Sequence, residues 1–203
     1  VPGSGIDTQR FLPCALPDQD GHSPVFLLLG RILRDKGVVE YVEAARMLKA
    51  RCPGARFALL GFLDVENVSA ISRAQMDAWV AEGVIEYWGE THDVRPMIAR
   101  ADCVVLPSYR EGMPMTILEA MAAGVPVVAS RVGAAEDVIE DGRTGMLYDA
   151  GDVPALIAAV RLALSDEGRD AGKAAKDAVA AQFTVDEMAR RYAEQYRRVL
   201  GGR

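Results

Sequence analysis

Six apolar runs separated by helix-like segments constrain the fold of this chain more than any other feature. The run Val25-Phe-Leu-Leu-Leu-Gly30 is continuous rather than alternating and ends in glycine, and Arg56-Phe-Ala-Leu-Leu-Gly61 repeats the pattern. Continuous apolar runs of this length are typical of strands buried on both faces of a parallel sheet. Because helix-like segments separate the runs, we predict an α/β fold: a Rossmann-like, doubly wound parallel sheet of about six strands with helices on both faces.

The same pattern divides the chain into elements. We predict strands at 25–30, 56–61, 84–88, 102–107, 126–130 and 145–148. We predict helices at 38–51, 70–82, 94–100, 115–123, 153–165, 169–181 and 185–200, with a helical turn at 136–140. The turn-rich opening suggests a linker remnant over 1–12, followed by a domain over 13–183 and a C-terminal helix over 184–203. We expect this last helix to expose one apolar side, formed by Met188, Tyr192 and Tyr196.

Two carboxylates, Glu111 and Glu119, are separated by seven residues at a predicted strand–helix junction. Glu111 follows a buried-looking strand, and Glu119 lies about one turn inside the next helix. Ligands of open α/β sheets bind at this edge, and the N–H groups of a helix N-terminus attract an anion. An anion site that lies between two carboxylates predicts a nucleotide-sugar site. The alternative is a surface acid followed by a helix acid that the dipole favours.

Two cations, Arg31 and Lys36, follow the first predicted strand and therefore reach the same edge as Glu111. A diphosphate is strongly anionic, and an arginine can bind phosphate through two parallel hydrogen bonds. Taken alone, both side chains are more simply solvated loop residues; together with the two glutamates, they favour a diphosphate site. Arg34 and Arg110 either supplement this site or are solvated.

The composition excludes several classes of protein. A net charge of −6 argues against a dedicated nucleic-acid binder. The three cysteines, Cys14, Cys52 and Cys103, form no CxxC pair, so reduced thiols and a cytoplasmic location are expected. No apolar run is long enough to span a membrane, and the N-terminus lacks the regions of a signal peptide.

Metal sites are poorly supported by the sequence. Asp18-Gln-Asp20 has the spacing of a metal-binding DxD motif, but it lies in a polar segment far from the proposed site, so a solvated turn is favoured. His22 and His92 have no clustered cysteine or histidine partners, which argues against structural zinc. His92 is interpreted as an exposed loop residue rather than a base contact. We therefore expect no metal and no cofactor.

These motifs together resemble those of the retaining family 4 glycosyltransferases, which have the GT-B fold. The resemblance rests on Gly30-Arg31…Lys36-Gly37, on Pro107-Ser108, on Glu111-x7-Glu119 followed by Ala120-Met-Ala-Ala-Gly-Val-Pro-Val-Val128, and on 142–145. It covers nearly the whole chain and concerns only the second of the family's two domains, which binds the nucleotide sugar. It implies that an N-terminal acceptor domain of the same polypeptide is missing.

The resemblance also assigns roles to residues. Arg31 and Lys36 would neutralise the diphosphate and its developing charge, Glu111 would bind hydroxyls of the transferred sugar, and Glu119 would hold the ribose. The implied donor-binding set is completed by Gly30, Gly112, Met113, Met115 and Thr116, the last three through backbone N–H groups or a bordering side chain. The implied base-binding candidates are Gly61, Trp88, Gly89, Glu90 and Thr91.

By the same resemblance, the chain is the donor-binding domain of an enzyme that transfers a hexose-type sugar from a nucleoside diphosphate, with a UDP-sugar expected. Segments 40–45, 93–96 and 107–112 resemble the branch that builds capsule and lipopolysaccharide, which implies a glycan or lipid-linked acceptor and membrane contact only through the full-length enzyme. We expect donor binding without sugar transfer by this chain alone. A UDP-sugar epimerase, a phosphorylase and a non-catalytic nucleotide-sugar-binding module remain alternatives.

Overall fold

One parallel sheet forms the centre of the molecule. The computed structural model describes residues 3, 5–12 and 23–201. The strands are β1 (Val25–Leu29), β2 (Arg56–Leu60), β3 (Glu86–Tyr87), β4 (Cys103–Leu106), β5 (Val127–Ser130) and β6 (Met146–Tyr148). All pairings are parallel, in the order β3-β2-β1-β4-β5-β6. The predicted six-stranded doubly wound sheet is therefore confirmed.

Helices cover both faces of this sheet. They are α1 (Val38–Lys49), α2 (Arg73–Ala81), α3 (Arg95–Ile98), α4 (Met115–Ala122), α5 (Val153–Ala163), α6 (Asp166–Gln182) and α7 (Val185–Gly201). Buried side chains of α1, α2 and α5 form one apolar cluster with one face of the strands. Those of α3, α4 and most of α6 form a second cluster on the other face. Burial on both faces explains why the strand sequences are continuously apolar.

Two helices begin at other residues than predicted because serine caps set their starts. α2 begins at Arg73 rather than at residue 70, since the Ser72 hydroxyl accepts a hydrogen bond from the Gln75 N–H at 3.2 Å. α6 begins at Asp166 rather than at residue 169, since Ser165 caps it in the same way. Such caps satisfy N–H groups that the helix itself leaves without acceptors.

Two further elements differ from the prediction. The helical turn lies at Gly133–Ala135, as a short 3-10 helix, rather than at 136–140. Strand β3 spans only Glu86–Tyr87 of the predicted 84–88, although Val84 and Ile85 are buried. An apolar run predicts that residues are buried, but it does not show whether they also pair with a neighbouring strand.

The exposed side of α7 was predicted only in part. Met188 is 1% exposed, so including it was wrong, whereas Tyr192 and Tyr196 are exposed. At the other terminus, the Ile6 N–H donates to the Phe183 carbonyl at 2.8 Å, and the Ile6 side chain is buried. The division at residues 12 and 183 stays a prediction. No helix in the described part of the chain has the length and apolar character that crossing a membrane requires.

Candidate functional site

The strand order reverses between β1 and β4, and the predicted site residues lie on both sides of this switch point. Gly30 and Arg31 follow β1, and Glu111 follows β4. In doubly wound sheets, the crevice outside the carboxyl ends of the strands at the switch point is the usual ligand site. The topology thus brings together residues that are 80 positions apart in the sequence.

The loops after β1 and β4 are in direct contact. Gly37 has a φ of 69°, and a Cβ added there would lie 2.0 Å from the Pro107 carbonyl oxygen. The Tyr109 N–H donates to the Asp35 carbonyl at 2.9 Å. Because only glycine fits this approach, Gly37 fixes the distance between the two loops.

An ion pair links the loops at the site itself. Lys36 Nζ lies 2.6 Å from Glu111 Oε1. The Glu111 side chain is only 8% exposed and that of Lys36 is 21% exposed, so solvent screens the pair weakly. Two residues predicted to contact the diphosphate and the sugar are therefore each other's partners in this structure.

The other predicted cation, Arg31, is exposed. Within the described residues, its guanidinium has no hydrogen-bond or salt-bridge partner, so its five donors are available to an anion. Arg34 instead donates to the Gln75 side chain at 3.1 Å, which directs it toward α2. Arg110 is exposed.

Glu119 lies on α4 beyond the anion site and is mostly buried. Burial raises the pKa of its carboxyl to about 7. Its side chain has no hydrogen-bond partner among the residues described, so it can accept bonds from a diol. A desolvated carboxylate that titrates near neutrality is typical of functional sites.

The N-terminus of α4 offers fewer N–H groups than predicted. The Met115 N–H donates to the Met113 carbonyl at 2.9 Å and is therefore occupied, contrary to its predicted role. The N–H groups of Gly112, Met113 and Thr116 have no acceptor within the described part of the chain. These three groups remain candidates for an anion.

The predicted base-binding residues follow β2 and β3. The Gly61 N–H donates to the Gly89 carbonyl at 2.8 Å, which joins the ends of the two strands. The Trp88 indole donates to Glu86 at 2.9 Å and lies beneath the Arg100 guanidinium at 4.3 Å, so its ring is already engaged. Glu90 is exposed, and the Thr91 hydroxyl bonds the Asp93 backbone. Backbone groups at these ends are the better base candidates.

The predictions about metals are only partly accessible to the structure. Asp18, Asp20, His22 and Cys14 lie outside the described residues. Among the residues that are described, no three His, Cys, Asp or Glu side chains are grouped so that they could hold a metal ion. Metal independence stays a prediction.

Sequence reasoning missed the contacts that hold the Glu111 loop. The Tyr109 hydroxyl donates to Glu40 at 2.7 Å, and the Ser130 hydroxyl bonds the Ser108 carbonyl. These partners are 69 and 22 residues apart, so no local pattern reveals them. Only Gly37 is visible in the sequence as a special position, because a glycine between a loop and a helix indicates a left-handed backbone conformation.

A doubly wound sheet with cations, N–H groups and carboxylates around its switch point is the arrangement of a nucleotide-binding α/β domain. Comparison with known proteins makes the class more specific. The sequence matches the family described as glycosyl transferases group 1 over residues 23–166. The chain belongs to this family of glycosyltransferases.

Two similar proteins support this assignment. An N,N'-diacetylbacillosaminyl-diphospho-undecaprenol alpha-1,3-N-acetylgalactosaminyltransferase from Campylobacter jejuni is 31% identical over 97% of this chain and 53% of its own length. The C-terminal domain of a glycosyl transferase group 1 family protein from Francisella tularensis has a TM-score of 0.74 and 25% identity, covering 89% of this chain and 99% of that domain.

Anabaena HepE, solved in complex with UDP, has a TM-score of 0.80 and 20% identity, covering 95% of this chain and 55% of its own. This likeness concerns the fold. The chain spans about half the length of the full-length relatives it matches. The resemblance to a GT-B donor domain is thus confirmed at the level of family and fold.

Glu119 provides a test by pH. Its raised folded-state pKa means that the folded protein binds a proton more tightly than the unfolded chain, so stability is lost as pH rises through about 7. Glu119→Gln removes this loss. We expect the variant to match the wild type near pH 4 and to exceed its free energy of unfolding by roughly 1–2 kcal/mol at pH 8, allowing for partial exposure.

Urea denaturation at both pH values measures this difference, and Glu43→Gln on the exposed side of α1 is the control. If Glu119 holds a ribose, the same variant binds UDP more weakly at pH 8 while being more stable. A variant that loses stability at pH 8 would show that the carboxylate has a structural partner instead.

Proposed function

We propose that this chain is the donor-binding domain of a retaining glycosyltransferase, which transfers a hexose-type sugar from a nucleoside-diphosphate sugar to a glycan or lipid-linked acceptor. A UDP-sugar is the expected donor. The observation that carries the proposal is the arrangement at the switch point: Arg31 without a partner in the described chain, the Lys36–Glu111 pair, and the mostly buried Glu119. The UDP complex of the Anabaena protein is consistent with it.

The charges of these groups match the parts of a nucleotide sugar. Arg31 and Lys36 bind the diphosphate, and the N–H groups at the start of α4 complete that anion site. Glu119 accepts hydrogen bonds from the ribose diol on one side. On the other side, Glu111 accepts them from hydroxyls of the transferred sugar.

Bond cleavage leaves negative charge on the departing diphosphate, and the two cations stabilise that charge. This requires Lys36 to exchange its bond to Glu111 for one to phosphate. The exchange would release Glu111 toward the sugar only when a donor is bound. We propose that an N-terminal domain of the same polypeptide supplies the acceptor and that this chain alone binds donor without transferring sugar.

The alternatives are less well supported. The family match and the relatives favour a transferase over an epimerase or a phosphorylase. A non-catalytic binding module would make the same contacts with the donor, so sugar transfer by the full-length protein, and not donor binding by this chain, distinguishes it. The membrane contact proposed for a lipid-linked acceptor belongs to the full-length enzyme.

Ligand-observed NMR with UDP-, GDP- and ADP-sugars tests the proposal directly. We expect one nucleotide to bind selectively and binding to persist in EDTA, since side-chain cations replace a metal ion. Arg31→Ala should weaken binding by roughly 1.5–3 kcal/mol, the range for hydrogen bonds to charged groups. Stability should be unchanged because Arg31 is exposed.

Arg51→Ala, an exposed arginine on the loop after α1, is the matched control and should leave binding unchanged. Equal affinity of wild type and Arg31→Ala would contradict the diphosphate role. Absence of binding to every nucleotide sugar would contradict the donor-domain function itself.

A further inference from the structure

Tyr109 in the Glu111 loop and Glu40 in the first turn of α1 are hydrogen-bonded to each other, and a third side chain with a buried polar atom, Tyr148, lies at the end of β6. The Tyr109 hydroxyl donates to Glu40 Oε1 at 2.7 Å. A Cβ at Gly151 would lie 3.1 Å from the same hydroxyl, so the loop after β6 passes close to it. The hydroxyl therefore joins the Glu111 loop to α1 and lies near the loop after β6.

Two of these three side chains carry buried polar atoms. Glu40 Oε2 and the Tyr148 hydroxyl are buried without a partner within the described chain. Burial raises the pKa of Tyr148, and the charge of Glu40 raises it further. Buried polar atoms without partners lower stability. A role in the site is a better explanation of their presence than a role in folding.

The link to the site is short. Tyr109 is two residues before Glu111, and its N–H bonds Asp35, one residue before Lys36. The tyrosine thereby contacts both loops that supply the ion pair. Tyr109 is 43% exposed, so packing alone restrains its side chain weakly. Its bond to Glu40 is what fixes the hydroxyl end.

We propose that Glu40 and Tyr109 are positioning residues for the transferred sugar. They hold the loop over 107–112 so that Glu111 meets the sugar hydroxyls once Lys36 has turned to the phosphates. The inference rests on the proposed donor function. It assigns the pair to the sugar part of the donor, because the ribose and phosphate groups are bound by Glu119, Arg31 and the start of α4.

The test separates the sugar contribution from nucleotide binding. Calorimetry measures the dissociation constants of UDP and UDP-glucose, replaced by GDP and GDP-mannose if the NMR panel selects guanosine. We expect Tyr109→Phe and Glu40→Ala each to lower the affinity ratio of nucleotide sugar to nucleotide about fivefold, with the nucleotide constant unchanged. The double variant should lose no more than either single variant, because both remove one interaction.

Conservative variants and controls sharpen this result. Glu40→Gln should keep the ratio near the wild-type value, because an amide oxygen can still accept from Tyr109. Glu43→Ala on the exposed side of α1 and Tyr196→Phe on α7 are matched controls that should have no effect. Thermal denaturation checks that each variant is folded.

The outcomes distinguish the two proposals. An unchanged ratio in Tyr109→Phe, or equal losses for nucleotide and nucleotide sugar, would overturn the positioning role while leaving the donor function intact. A wild-type chain that binds no UDP-, GDP- or ADP-sugar would overturn the donor function and, with it, this inference.

Discussion

Gly37→Ala is expected to lower the free energy of unfolding by more than about 3 kcal/mol and to abolish nucleotide binding. Gly37 has a left-handed φ of 69°, which alone costs an alanine about 1 kcal/mol. The larger cost comes from its Cβ, which would lie 2.0 Å from the Pro107 carbonyl oxygen. The backbone fixes the position of this Cβ, and the atom it would meet is a backbone oxygen. The clash is therefore relieved only if the loops after β1 and β4 separate. That movement would also pull Lys36 from Glu111.

Gly83→Ala is the matched control for this experiment. Gly83 has a φ of 73°, nearly that of Gly37, but a Cβ there would meet nothing within 4 Å. Urea denaturation should therefore show only the left-handed cost of about 1 kcal/mol, and nucleotide binding should be retained. Equal losses in the two variants would mean that the contact with Pro107 contributes nothing beyond backbone conformation.

The sequence predicts well the strands and the edge of the sheet at which the site lies. The strands were predicted within a few residues, because a run such as 25–30 is apolar on both faces and ends at glycine. Once the strand order is known, Arg31 and Glu111 must lie at one edge, since parallel strands end on the same side. Placement at the edge therefore follows from topology and needs no side-chain detail.

Contacts between distant loops could not be predicted in this way. Nothing near Gly37 in the sequence indicates that it approaches Pro107, and nothing near Tyr109 indicates Glu40. The prediction that Met188 is exposed was wrong for a related reason. Its helix is amphipathic, but which turn is covered depends on how α7 packs. The Met115 N–H likewise bonds Met113 through a local turn at Pro114 that helix periodicity does not reveal.

The ion pair at the switch point gives the second large expected effect. Lys36→Ala leaves the Glu111 carboxylate, whose side chain is 8% exposed, buried without its partner. Removing one member of a buried pair typically costs about 3–5 kcal/mol, and we expect about 3 here. Glu111→Ala should cost less, because the Lys36 ammonium can reach solvent along its flexible stem. The double variant should be more stable than Lys36→Ala alone.

A double-mutant cycle by urea denaturation measures this coupling. Arg46 and Glu82 form the control pair, at 2.6 Å as well but with both side chains more than 40% exposed. Their coupling should be much smaller, because solvent screens exposed charges. Similar coupling in the two pairs would show that burial does not strengthen the Lys36–Glu111 interaction.

Nucleotide binding by the same variants tests whether Lys36 exchanges partners. Lys36→Ala removes a phosphate ligand and should weaken UDP binding. Glu111→Ala removes the group that competes with phosphate for Lys36, and should therefore strengthen UDP binding while abolishing any additional affinity for the sugar. General damage to the site would weaken UDP binding in both variants. Changes of opposite sign in UDP affinity are expected only if the Glu111 carboxylate holds Lys36 until a diphosphate binds. Glu111 then becomes available to the sugar when the donor is bound.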